Sequence, residues 1–168
     1  MDKFTFTKIS YGVYVVTSWA EGGIATGCTA NSAMQVTSSP ATIAVSINHD
    51  NFTNECIKSA GRFAINILGE NSDPSIIGAF GFRSGRDCKK FEDKTPKIKD
   101  CLPLVDGAIA YITCKVIDSM ETSTHTVFLG EVIDAQVAEK DAVPMTYAYY
   151  HNVIKGKSPK NAPTYIAE

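Results

Sequence analysis

Small polar residues gather at three places in this chain, each where an apolar run ends. Thr29-Ala30-Asn31-Ser32 follows Gly27 and Cys28. Ser46-Ile47-Asn48-His49-Asp50-Asn51-Phe52-Thr53 joins a strand-like run to a helix start. Arg83-Ser84-Gly85-Arg86-Asp87 precedes Lys89, Lys90 and Phe91. Read singly, each has a structural explanation. Strand ends favour such turn residues, Asp50 or Asn51 can cap a helix, and a basic run can be a solvated loop. Read together, they make a ligand inventory. A helix start offers backbone N–H groups and a positive dipole end. The hydroxyls of Ser46 and Thr53, with a cation from Arg83, Arg86 or Lys90, suit a phosphate, although Asp50 keeps it from lying directly on top of that carboxylate. Thr29, Asn31 and Ser32 supply neutral donors and acceptors for a flat heteroaromatic ring with carbonyl and imide edges. One phosphate, a polar chain and such a ring describe flavin mononucleotide (FMN). His125 opens the run Thr126-Val127-Phe128-Leu129-Gly130-Glu131-Val132. It reads either as a strand-end histidine or as a contact to a bound nicotinamide.

Other chemistries find no support. No GxGxxG follows a strand, and no GxSxG occurs. Gly156-Lys157-Ser158 mimics the end of a phosphate-binding loop, but that loop needs glycine at position 151, where His151 stands. His49, His125 and His151 lack metal-ligand spacing. Cys28, Cys56, Cys88, Cys101 and Cys114 are scattered, with no CxxC, so an iron or zinc centre is not expected. Asn51-Phe52-Thr53 is a glycosylation sequon that carries weight only in a secreted chain.

Apolar runs must position these clusters. Tyr11 to Trp19, Thr42 to Asn48, Arg62 to Leu68, Ala108 to Asp118 and Thr126 to Val137 read as strands. In the second, Ile43, Val45 and Ile47 alternate with small or polar residues. One helix is predicted from Asp50 or Asn51 to a stop at Gly61. Another covers Ser75 to Phe80, with Asp73 as N-cap and Pro74 at the first helical position. The order is not a regular strand–helix alternation, so a mainly β, antiparallel barrel with short helices is predicted. His151 to Glu168 reads as an extended C-terminal arm after a 1–150 domain, either a loose tail or an arm that clasps a partner subunit.

At 168 residues one domain is expected, with 44% hydrophobic and 20% charged residues. The formal charge of -2 argues against a nucleic-acid or polybasic membrane surface. No apolar run approaches the ~20 residues of a membrane span, and the N-terminus shows no signal-peptide core. A cytoplasmic protein with reduced thiols is the expectation.

The segments GVYVVTS, GCTANSAMQVTSSPATIAVSIN, FTNECIKSAGRFAINIL, FGFRSGRDCKKF and HTVFLGEV together resemble the flavin reductase-like family of FMN-binding split barrels, over roughly Phe4 to Tyr150. The tail YHNVIKGKSPKNAPTY resembles flavoredoxins and the flavin domains of high-molecular-weight rubredoxins. The resemblance implies a six-stranded Greek-key barrel, a homodimer, one FMN per subunit near the interface, and NADH or NADPH as reductant. Carried over by position, Thr29, Ala30, Asn31 and Ser32 line the isoalloxazine. Ser46, Asn48, Asn51 and Thr53 hold the ribityl chain and phosphate, and Arg83, Arg86 or Lys90 neutralises it. His125 matches the histidine of the family's H-x-x-F-x-G-x-V motif, beside the nicotinamide. Ser123-Thr124 stands where the family commonly has Gly-Asp. The implied reaction passes hydride from NAD(P)H to FMN, then electrons to free flavin, a ferric acceptor or a redox protein such as a rubredoxin or monooxygenase. Two alternatives are an FMN electron carrier without NAD(P)H activity, and a cofactor-free barrel. A small filled barrel leaves no interior room for the cofactor, so the site belongs on its outer wall with a second subunit as cover.

Overall fold

A computed structural model describes residues 1–91, 95–159 and 162–164. The main sheet has seven strands: β1 (Tyr14–Ala20), β2 (Ile24–Ala30), β3 (Ala33–Ser38), β4 (Ala41–Asn48), β5 (Arg62–Leu68), and the long pair numbered β8 (Ala108–Glu121) and β9 (His125–Val137). Between β5 and β8 a small hairpin, β6 (Lys97–Lys99) and β7 (Leu102–Leu104), forms a separate sheet. Three short α-helices, α1 (Phe52–Ala60), α2 (Ser75–Gly81) and α3 (Tyr147–Asn152), punctuate the strands.

The main-sheet order is β2-β1-β5-β8-β9-β4-β3, and its pairings are antiparallel. Its two edge strands, β2 and β3, are neighbours in sequence, joined only by Asn31-Ser32. A seven-stranded sheet whose edges are tied by two residues must curl round until the edges almost meet. The result is the predicted mainly β barrel, split along one seam. The strand count is seven where the resemblance implies six.

Alternation fills the interior. Ile43, Val45 and Ile47 of β4 are buried with Val16, Phe63, Ile65, Cys114 and Phe128. α1 adds Ile57 to this core. Its Asn54 is buried and donates to Ile47 O (2.9 Å) and Thr126 Oγ1 (3.0 Å), tying the helix to β4 and β9. Outside the barrel a second core joins Val13, Val15 and Leu68 to Ile77 and Phe80 of α2 and to Tyr150 of α3. Burying each such side chain contributes roughly 1.5–3 kcal/mol.

Most strands follow the sequence reading. β5 has the expected bounds, and β4 begins one residue early. α1 follows Asn51 and stops at Gly61, whose φ of +65° is the left-handed conformation of a helix C-cap. α2 spans Ser75–Gly81 with Pro74 as its N-cap, one position later than the predicted Asp73 cap, although Asp73 Oδ1 still accepts from Ser75 N at 2.8 Å. β1 starts at Tyr14, not Tyr11, because Gly12 and Val13 are drawn off to bond with the segment before α3. Periodicity does not reveal β2 and β3. β2 is rich in small residues, and β3 is an edge strand with Met34 and Val36 facing outward. α3 spans positions 150 and 151, where a domain–arm boundary was expected.

Candidate functional site

The seam opens onto a cavity of about 550 Å³. That volume lies within the ~300–1,000 Å³ usual for small-molecule sites. β2 contributes Thr29 and Ala30, and Asn31 stands at the seam itself. The outer face of β4 adds Ser46 and Asn48, and the start of α1 adds Asn51 and Thr53. The loop after α2 brings Arg83 and Lys90, and β9 brings His125. Residues separated by about 100 positions thus share one wall.

Local geometry explains how. Asn48 ends β4, and its Oδ1 accepts from Asp50 N at 2.9 Å while its carbonyl accepts from Asn51 N at 3.1 Å, which turns the strand into α1. The Asn51 side chain does not cap α1 and so gives its first-turn N–H groups no oxygen. Cross-strand register sets Asn48 directly opposite His125. Thr124 Oγ1 lies 2.8 Å from His125 Nδ1, and Thr124 O accepts from His49 N at 2.9 Å. His49 and Lys58 both pair with Glu121 (2.8 and 2.7 Å), which pins the β8–β9 tip beside α1. Lys58 beside Glu121 holds its carboxyl below the usual range.

The basic loop is shaped by two contacts. Lys90 is only 6% exposed, and its Nζ donates to Ala79 O (2.8 Å) and to Arg83 O. Burial lowers the pKa of this amine. Lys90 therefore works as a strut between α2 and the loop. Gly85 permits the loop's close approach: a Cβ there would stand 2.5 Å from Thr26 Oγ1 and 3.0 Å from Phe52 Cδ1.

Two predicted residues do not line the cavity. Ser32 turns its hydroxyl to Asn31 Oδ1 (3.0 Å), so it orients a lining residue. Arg86 donates to Asp50 O (3.1 Å), pairs with Glu55 and lies over the Phe52 ring at 5.3 Å. Other wall residues carry little sequence signal. Tyr147, Tyr150 and part of the C-terminal arm (Lys157–Pro159, Ala162 and Pro163) complete the enclosure. The aromatic run Tyr147-Ala148-Tyr149-Tyr150 was the one available hint.

The β2 part of the wall carries no charge. Burial pushes the Cys28 thiol up to about 11, so it is a small apolar group at neutral pH. Thr26 Oγ1 and Thr29 Oγ1 are buried with no hydrogen-bond partner among the described residues. Such hydroxyls are costly to leave unmet, and in native proteins they usually find a partner. Among the described residues no cluster of His, Cys, Asp and Glu could hold a metal, and no helix is long and apolar enough to cross a membrane.

Comparison with known proteins gives a consistent result. Residues 6–156 match the flavin reductase like domain. The chain is 42% identical over 168 residues to a ferric-chelate reductase (NAD(P)H) of Archaeoglobus fulgidus, covering 99% of this chain and 98% of the relative. It is 41% identical over 167 residues to the high molecular weight rubredoxin of Moorella thermoacetica, covering 98% of this chain and 72% of the relative. The solved Streptomyces globisporus NADH:FAD oxidoreductase SgcE6 superposes with a TM-score of 0.75 at 26% identity, over 84% of each chain. A domain match across nearly the whole length, carried on a split barrel with its cavity at the seam, places this chain in the flavin reductase-like family.

Proposed function

We propose that the protein is an FMN-dependent oxidoreductase that takes hydride from NADH or NADPH and passes electrons to an acceptor: free flavin, a ferric chelate or a redox protein. The observation that carries this reading is the convergence, on one cavity, of Thr29, Ala30 and Asn31, of Ser46, Asn48, Asn51 and Thr53, and of Arg83. The orphaned Thr29 hydroxyl sits in that wall and fits a ligand with polar edges. When bound, FMN supplies the hydride-accepting centre. The ring falls to Thr29, Ala30 and Asn31, and the ribityl phosphate to Ser46, Asn48, Asn51, Thr53 and Arg83. Asn31 and backbone N–H groups would hold the polar edge of the ring. His125, held through Nδ1 by Thr124, would orient a nicotinamide toward the cofactor. No proton-abstracting dyad is needed.

A second copy of the chain completes the site. Met34 pairs across strands with Ala44, which pairs with Leu129; Met120 pairs with Val127, which pairs with Ser46. These side chains share the outer face, opposite the buried Ile43 and Val45. Met34 is 64% and Met120 61% exposed. This apolar stripe runs into the cavity at Ser46, so an isologous dimer on it would cover the bound cofactor. The described cysteines are free thiols, which supports a reducing cytoplasm.

The test is an absorbance spectrum of the purified protein before and after anaerobic NADH or NADPH, followed by ferric citrate. Flavin bands that bleach and return support the reading. Protein that neither carries nor takes up FMN refutes it. A second reading, an electron carrier reduced by another protein, draws on the relative termed a rubredoxin. It is favoured when dithionite bleaches the flavin and neither pyridine nucleotide does. His125→Ala raises KM for NADH several-fold while FMN stays bound; an unchanged KM removes His125 from the nicotinamide site.

A further inference from the structure

We propose that residues 157–159 and 162–164, after α3, form a strap that closes the cofactor cavity, that Tyr147 is its latch, and that Thr164 positions Asn31 toward the ring. This rests on the FMN reading above.

The hydrogen bonds form a chain. Asn31 Nδ2 donates to Thr164 Oγ1 (3.0 Å), and Thr164 Oγ1 donates to Tyr147 OH (2.8 Å). Tyr147 OH also bonds Ser158 Oγ, which lies 3.3 Å from His151 Nε2. One phenol thus grips the strap at two points. Tyr150 OH adds a bond to Lys157 O (3.2 Å). The Tyr147 ring packs edge-on against His151, with centroids 4.3 Å apart, and lies near Tyr11 at 6.2 Å. Gly156 lets the chain cross the Tyr150 ring, where a Cβ would fall 2.0 Å from Cζ.

The strap acts on a residue that matters. Asn31 Oδ1 accepts from Ser32 Oγ, and one N–H goes to Thr164. The amide can no longer flip, and its second N–H is the donor left for a ligand. Linked hydroxyls polarise one another, so the chain stiffens as a unit. Pro159 and Pro163 reduce the freedom of the released strap, so less entropy is lost when it latches. The common domain ends at residue 156, so the strap lies beyond it, while the two relatives at 41–42% identity align over nearly the whole chain. The strap is therefore an addition to a shared barrel, suited to hold a flavin that the barrel alone would release faster.

Full-length Tyr147→Phe keeps the ring and removes both latch bonds. Thr164→Val keeps the shape and removes the bond to Asn31, and Thr164→Ser restores it. The FMN release rate, measured after dilution into an apoflavodoxin trap, is expected to rise about tenfold in Tyr147→Phe, because two hydrogen bonds are lost and only partly replaced. It should rise severalfold in Thr164→Val and return toward wild type in Thr164→Ser. Should Tyr147→Phe fail to fold, Thr164→Val carries the test. Wild-type release rates in both Tyr147→Phe and Thr164→Val overturn the proposal. Amide exchange at Ser158 and Thr164 in flavin-free protein is a separate readout. It should accelerate in Tyr147→Phe, and unchanged exchange overturns the latch. If the wild type binds no FMN, the cofactor reading falls and the exchange experiment alone decides on the latch.

Discussion

Thr29→Val separates a ligand contact from a structural one because its two effects have opposite signs. Thr29 Oγ1 is buried and has no partner among the described residues. An unmet buried hydroxyl costs ~1–3 kcal/mol, and valine removes it with almost no change of shape. Position 29 is in β2, where a β-branched residue fits. The flavin-free variant should therefore be more stable by about 1 kcal/mol, a Tm increase of roughly 2–4 °C for a chain of this length. The same substitution deletes one neutral hydrogen bond to the bound ring, worth ~1 kcal/mol, so the FMN Kd should rise about fivefold. The assay pairs a thermal melt of stripped protein with a fluorescence titration of FMN. A residue that merely supports the fold would lower both stability and affinity. A variant that melts below wild type, or binds FMN equally well, refutes the reasoning.

Three further outcomes are expected. Gly130→Ala should lower stability by ~1–3 kcal/mol in urea unfolding, because the new Cβ would sit 2.7 Å from Phe63 Cζ and 2.8 Å from Cys114 Cβ in a filled core; a neutral effect contradicts that packing. Arg83→Ala should weaken FMN about tenfold, whereas Arg86→Ala, which removes a side chain that does not line the cavity and is paired with Glu55, should change affinity less than twofold; equal losses would put Arg86 back in the site. Stability should fall between pH 9 and 11. Burial pushes the thiols of Cys28 and Cys56 up to about 11 and that of Cys114 to about 12. The native state then keeps protons that the unfolded chain releases near 9, so stability is full below that pH and drops by up to about 1.4 kcal/mol per thiol per pH unit above it. Equal urea midpoints at pH 8 and pH 10 would exclude this.

What could be read from the sequence follows from the range of the forces involved. RFAINIL and TIAVSIN declare themselves because alternation and β-branching are local properties. Asn51 and Gly61 bracket α1 because capping chemistry is local too. β3 stays hidden because an edge strand facing outward needs no alternation toward a core. In the site, the polar types were visible but their aim was not. Ser32 and Arg86 have the right chemistry, yet Ser32 is committed to the adjacent Asn31 and Arg86 to Glu55, which the fold brings close. Lys90 looks like a phosphate ligand until burial sets it against two carbonyls. Tyr147 and the strap could not be found from local pattern, since their role depends on contacts with Asn31, more than a hundred residues away.

The two-residue tie between β2 and β3 carries a mechanical consequence. Everywhere else round the barrel, neighbouring strands are zipped by backbone ladders; along the seam Asn31 and Ser32 hold the lips together. A molecule lodged there acts as a keystone, substituting its own bonds for the rungs that are missing. Removing it should loosen the lips first and leave the long β8–β9 hairpin intact, so that cofactor loss and the onset of unfolding begin at the same joint.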